Sequence, residues 1–195
     1  MLSKIAITFC ALLAFGSAFD IPESQPDGLY SYHEDENGVG IHAPIEGQPT
    51  GSVTPPGAKF RTKRDALPNS LLTDIECDGG FINPTDYTNS VNGLIGLCNP
   101  STTVKAGHNI YYKSGGAVAY MCNYGGDNGC AKAELDYAFQ LIGRGPFVNS
   151  FNLIRGEPNG CPNYQSGHVY VGDYGKTYGY MTATTGLCNG RPVDS

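Results

Sequence analysis

Hydrophobic and polar positions change period several times along this chain, and each change marks an element. Tyr87, Val91, Leu94, Ile95 and Cys98 recur at helical spacing and share one face. Ahead of them, Asn83-Pro84-Thr85-Asp86 supplies an N-cap, a proline where the missing amide hydrogen is not needed, and an acid beside the positive end of the helix dipole. Asn99-Pro100 ends this helix. Gly93 and Gly96 each weaken it by about 1 kcal/mol relative to alanine, so it depends on packing.

Residues 108–113 and 117–123 are strand-like runs joined at Ser114-Gly115-Gly116, a hairpin signal. In the second run Val118, Tyr120 and Cys122 share one face, and Ala117, Ala119 and Met121 share the other. Both faces are apolar, which predicts a central strand. A second helix is predicted over 130–142, with Leu135, Ala138, Phe139 and Ile142 as its buried stripe and Gly143 and Gly145-Pro146 as its stop. Residues 73–77, 167–173 and 176–182 read as strands, and 151–155 is a further apolar run. The order strand, helix, strand, strand, helix, strand, strand predicts an α+β fold. It places both helices on one face of an antiparallel sheet, a split β-α-β sandwich of ferredoxin-like kind, and three disulfides are expected to hold it.

The N-terminal third has a different character. Residues 1–18 carry one lysine, a short apolar run and small residues at the end, the pattern of a secretory signal peptide. No stretch is long and apolar enough to span a bilayer, which takes about 20 residues. Residues 19–64 are acidic and rich in proline and glycine, a composition that buries too little apolar area to order itself, and they read as a mostly disordered pro-region. Within it, Pro26-Asp27-Gly28, the alternating Leu29/Ser31 run and Asn37-Gly38 mark a candidate hairpin. The segment closes on Arg61-Thr62-Lys63-Arg64. These basic residues in an aperiodic polar stretch suit the acidic cleft of a kexin-type processing protease, which leaves residues 65–195 as the predicted mature domain. The alternative is an ordinary solvated basic loop.

Of the seven cysteines, Cys10 falls in the signal segment. Cys77, Cys98, Cys122, Cys130, Cys161 and Cys188 remain, an even set in an oxidising compartment, with 15 possible connectivities. The net charge of −6 argues against a basic surface for nucleic acid or anionic membrane.

Two stretches carry resemblances. The segment from Ile21-Pro22 through Pro26-Asp27-Gly28-Leu29-Tyr30, closed by Lys63-Arg64, resembles the leaders of many secreted proteins of filamentous fungi; this implies a fungal source and kexin processing. Residues 115–125, then Cys130, Glu134-Leu135 and Lys176-Thr177-Tyr178-Gly179-Tyr180, are similar to small secreted cysteine-rich fungal effectors, a group that includes killer-toxin-like folds. The resemblance implies the two-helix, split-sheet order and brings no catalytic motif.

Candidate chemistry is sparse. A ribonuclease-like site would pair His108 and His168, or a histidine with Glu76 or Glu134, as acid and base, with Arg144 or Arg155 for phosphate charge; the other reading is that both histidines are ordinary strand residues. The predicted mature region has no Gly-x-Ser-x-Gly elbow and no zinc-type Cys/His spacing, so neither metal nor cofactor is expected. Tyr170, Tyr174, Tyr178 and Tyr180 all fall on even positions and form a candidate binding face for a sugar or a protein if register survives the turn between them. Otherwise they are core. The expected function is that of a non-enzymatic secreted effector acting on a host protein or wall glycan. The alternatives are a killer-toxin-like antimicrobial aimed at competitors and a small secreted ribonuclease or hydrolase.

Overall fold

The computed structural model describes residues 18–46, 72–143, 160–162, 164–183 and 186–188. Strands β1 (Gly28–Glu34), β2 (Gly40–Pro44), β3 (Leu72–Phe81), β4 (Ser101–Val104), β5 (His108–Ser114), β6 (Ala117–Asn123), β7 (Asn128–Ala131), β8 (Gln165–Val171) and β9 (Lys176–Thr182) accompany helices α1 (Pro84–Leu97) and α2 (Lys132–Ile142). Seven strands form one sheet in the order β2-β1-β5-β6-β9-β8-β3, and every pairing in it is antiparallel. A small ribbon pairs β4 with β7. The α+β class with two helices and an antiparallel sheet is therefore as expected. Among the described residues no helix is long and apolar enough to cross a membrane.

Helix α1 begins where its cap predicts. The Asn83 side chain accepts from the amides of Thr85 and Asp86, and Pro84 opens the first turn. Its Gly93 has a packing role, because a Cβ there would stand 2.5 Å from Cγ of Tyr112. Strand β6 is buried along its whole length, as a central strand requires. Helix α2 starts two residues later than the periodicity suggested, because Cys130 and Ala131 belong to β7.

The sheet carries a core on each face. Both helices pack on one face, where Leu94, Leu135, Phe139 and Ile142 meet Ile110, Ala119, Met121, Val169, Tyr178 and Tyr180. Among the described residues, no helix packs on the other face. There Tyr30, Tyr32, Tyr111, Val118, Tyr120, Cys122 and Met181 are covered by two extended segments, one bringing Phe19 and Ile21 and the other Leu187 and Cys188. These segments hold each other through a two-bond bridge: Phe19 N donates to Leu187 O at 3.0 Å and Leu187 N to Phe19 O at 2.7 Å.

Residues 18–46 thus correct the expectation of disorder. The candidate hairpin exists as β1–β2, and β1 also pairs with β5 from Gly28↔Lys113 to His33↔His108. Average composition misleads here because the few apolar residues are concentrated. Phe19, Ile21, Leu29, Tyr30 and Tyr32 are each buried, and burying side chains of this size contributes about 1.5–3 kcal/mol apiece. They bury against the rest of the chain, so no self-contained core is needed. Residues 1–17 and 47–71, and with them the signal peptide and the cleavage site at Arg61, Lys63 and Arg64, lie outside the described residues, as do Phe151–Arg155.

All six cysteines pair: Cys77–Cys161, Cys98–Cys130 and Cys122–Cys188. The bonds span 84, 32 and 66 residues, and loops of that size lower unfolded-chain entropy by roughly 3–5 kcal/mol per bond in the chain-entropy account. Cys77–Cys161 crosses β8 at Gly167, where a Cβ would stand 2.5 Å from the Cys161 sulfur.

Candidate functional site

One row of paired residues runs across the helix-free face: Tyr30, Tyr111, Tyr120, Gly179, His168 and Glu76, taken from β1, β5, β6, β9, β8 and β3. Strand alternation puts all of them on the same side. Gly179 decides the geometry in the middle. A Cβ there would stand 2.5 Å from Cζ of Tyr120 and 2.8 Å from Cβ of His168, so glycine leaves the space the Tyr120 ring occupies beside the histidine.

At the end of the row His168 lies between two carboxylates of the edge strand. Its Nδ1 donates to Asp78 Oδ2 at 3.1 Å, and its Nε2 stands 3.6 Å from Glu76 Oε2. Glu76 and Asp78 are two residues apart in β3, the spacing that places both on the His168 side. Burial alone would push the His168 pKa down. The hydrogen bond and charge of Asp78, joined by Glu76, outweigh it and raise the pKa above the ordinary histidine value. Burial, with the negative Asp78 and then Tyr124 nearby, pushes the Tyr120 hydroxyl well above the usual tyrosine range, so it stays protonated.

A cavity of about 30 Å3 opens here, lined by Asp78, Tyr120, Tyr124, His168 and Thr177 with Cys188. That volume suits about one water molecule. The arrangement can hold a proton on a fixed imidazole and can order a water. It also ties edge strand β3 to β8 alongside the Cys77–Cys161 bond. Ser166, two residues from His168 on the same face, has a buried hydroxyl with no partner. Among the described residues, no three His, Cys, Asp or Glu groups converge as metal ligands.

The other sequence candidates are dispersed. His108 sits three strands from His168 in the sheet order. It stacks on His33 at 4.6 Å between centroids, with its Nδ1 3.1 Å from Ala106 O. Glu134 lies on the helix side in a 2.5 Å ion pair with Lys176, which also donates to Gly129 O at 2.8 Å. Arg144 and Arg155 are outside the described residues.

The four tyrosines do not form one face. Val169 pairs with Tyr178, and Tyr170 pairs with Thr177. Paired residues share a side, so even positions in β8 face with odd positions in β9. Tyr178 and Tyr180 are buried beneath the helices, Tyr170 is buried on the opposite face, and Tyr174 is half-exposed in the turn. The turn reverses parity, which is why a shared even register does not survive it.

Sequence reasoning found His168 and Glu76 but missed Asp78 and Tyr120. Asp78 was legible from its two-residue spacing to Glu76; Tyr120 was not, because only the β6-β9-β8 order brings it near. No protein-family model, no curated protein and no solved structure matches this chain.

Large apolar side chains are also exposed elsewhere. Phe81, at the end of β3, is 73% exposed and Tyr164 is 41% exposed. Their backbone segments are neighbours: Ile82 N donates to Tyr164 O at 2.8 Å and Phe81 pairs with Gln165. Tyr164 holds a left-handed backbone at φ 58°, and its ring meets Tyr87 edge-on at 5.5 Å. A non-glycine residue kept in that region is held there by its surroundings.

Proposed function

We propose that this protein is a secreted, effector-type binding protein that acts outside the cell through its surface on a host protein or wall glycan, after kexin-type cleavage following Arg64. The observation that carries the reading is the exposure of two large rings, Phe81 at the end of β3 and Tyr164 in the strand's neighbouring segment. Exposed rings on a rigid scaffold suit sugar faces or a protein partner. Three disulfides within the chain support an oxidising, extracellular setting. Two helices over one antiparallel sheet support grouping it with killer-toxin-like split β-α-β proteins. Binding of the purified protein to a glycan panel and to host-surface proteins, compared with Phe81→Ala and Tyr164→Ala, tests this reading. At least a tenfold loss of binding in a folded variant is expected, and unchanged binding in both overturns it.

A hydrolytic second reading is favoured by one approach, His168 Nε2 to Glu76 Oε2 at 3.6 Å. It requires turnover of RNA or a glycan that His168→Ala abolishes.

A further inference from the structure

We propose that residues 18–46 stay bound to the rest of the molecule after cleavage, so that the processed protein is a two-chain complex in which the N-terminal hairpin is a permanent part of the sheet. This rests on the cleavage reading above and changes what cleavage accomplishes. Hydrolysis of the Arg64–Asp65 peptide bond by the protease consumes one water and leaves a carboxylate on Arg64 and an amine on Asp65. It cuts a connection and removes no contact among the described residues.

The contacts of the hairpin resemble those of interior strands. Strand β1 lies between β2 and β5, paired on both sides. Across the interface Tyr30 stacks on Tyr111 at 5.3 Å and the Phe19 ring lies 5.9 Å from the Tyr111 ring. Tyr111, wholly buried, is also hydrogen-bonded through its hydroxyl to His42 Nδ1 at 2.8 Å. Asp27 reaches into the β5–β6 turn, accepting from Lys113 Nζ at 2.9 Å and from the Gly115 amide at 2.8 Å. The Phe19–Leu187 bridge closes the far side over the Cys122–Cys188 bond.

Losing this segment would uncover the edge of β5 and a tyrosine-lined face of the sheet at once, the kind of unpaired edge and apolar patch that drives aggregation. No cysteine lies in 18–46, so the association is non-covalent and can be read directly. The surface formed by β5, Tyr111, Tyr120 and Leu187 is thus an interface whose partner is the chain's own severed N-terminal segment.

The test starts from the purified full chain, cut with a kexin-type protease and checked for complete scission by mass under denaturing conditions. Native mass spectrometry and size exclusion at neutral pH then follow. The expected result is a single species containing both fragments in equal amounts, one water heavier than the uncut chain, that separates only in denaturant. An N-terminal fragment that elutes alone while the disulfide-bonded remainder stays folded or aggregates overturns the proposal. If the protease leaves the chain intact, the cleavage reading fails by itself. Retention is then measured on a variant with another protease's recognition sequence at residues 61–64. A Tyr30→Ala variant, which removes the stack on Tyr111 across the interface, sharpens the readout. Cut, it begins to release its fragment on dilution at a concentration at least tenfold higher than the wild type does; uncut, the tether keeps it folded. Equal retention in cut wild type and cut Tyr30→Ala would assign the binding to something other than this face.

Discussion

Gly179 lies between Tyr120 and His168 in the paired row, and the Tyr120 ring fills the space where a Gly179 side chain would be. Three central strands therefore meet at a position without a Cβ. Gly179→Ala is expected to destabilise the fold by about 1–3 kcal/mol, the usual cost of overpacking. Tyr120→Ala, which empties the same space, should make the double variant cost less than the two singles added. Denaturant midpoints of the four proteins measure this, and simple additivity would show that the contact is not tight.

Gly93 tests a competition between propensity and packing. Alanine in a helix interior gains about 1 kcal/mol over glycine. The Tyr112 ring, however, lies where the new methyl would go. Gly93→Ala should be destabilising despite better helix propensity, and Gly93→Ala with Tyr112→Ala should regain part of the loss. Thermal unfolding gives the sign, and a more stable single variant would mean Tyr112 moves aside freely.

His168 and His42 titrate with opposite sign. The carboxylates of Asp78 and Glu76 raise the His168 pKa against its burial, so its stabilisation is complete below the ordinary histidine value of about 6.5 and is lost as pH rises through the folded-state value. Burial beside Phe19, Tyr32 and Tyr111 lowers the His42 pKa, so its contribution is present above that ordinary value and is lost as pH falls through the folded-state one. Hydrogen exchange at pH 5.5 and pH 8, corrected for intrinsic rates, should show β2 amides less protected in acid and β3 amides less protected in base. His168→Ala should abolish only the second trend. A β3 that is equally protected at both pH values would show that the His168 contacts with Asp78 and Glu76 do not hold the edge strand.

Lys176 and Glu134 form an ion pair with side chains 3% and 13% exposed. Removing one partner of a buried pair typically costs 3–5 kcal/mol, whereas an apolar replacement of both is often near neutral. Lys176→Ala should therefore be strongly destabilising, and Lys176→Met with Glu134→Leu should recover most of the loss. Denaturant unfolding decides it, and a mild single variant would show that water reaches Glu134.

The hairpin of residues 28–44 and the two histidines show where sequence reading stops. Turn residues at Pro26-Asp27-Gly28 and Asn37-Gly38 marked the hairpin, since turn chemistry is local. That it would order was hidden, because Tyr30 and Tyr32 find their partners in Phe19 and Tyr111, the latter about eighty residues away along the chain. His168 and Glu76 could be nominated as chemistry-bearing residues, but their pairing awaited the β3–β8 register.

The chain by itself determined the helices, through a 3.6-residue period and, for α1, the Asn83 cap, the central strand β6, through its two apolar faces, and an even set of cysteines suited to three bonds. Those signals are carried by residues within a turn or two of one another. The tertiary structure alone decided which cysteines pair, which tyrosines are interior, and that an acidic, proline-rich segment supplies two strands of the sheet. Each of these depends on strand order and on parity across turns, and burial against distant residues is a free-energy term that no local pattern encodes.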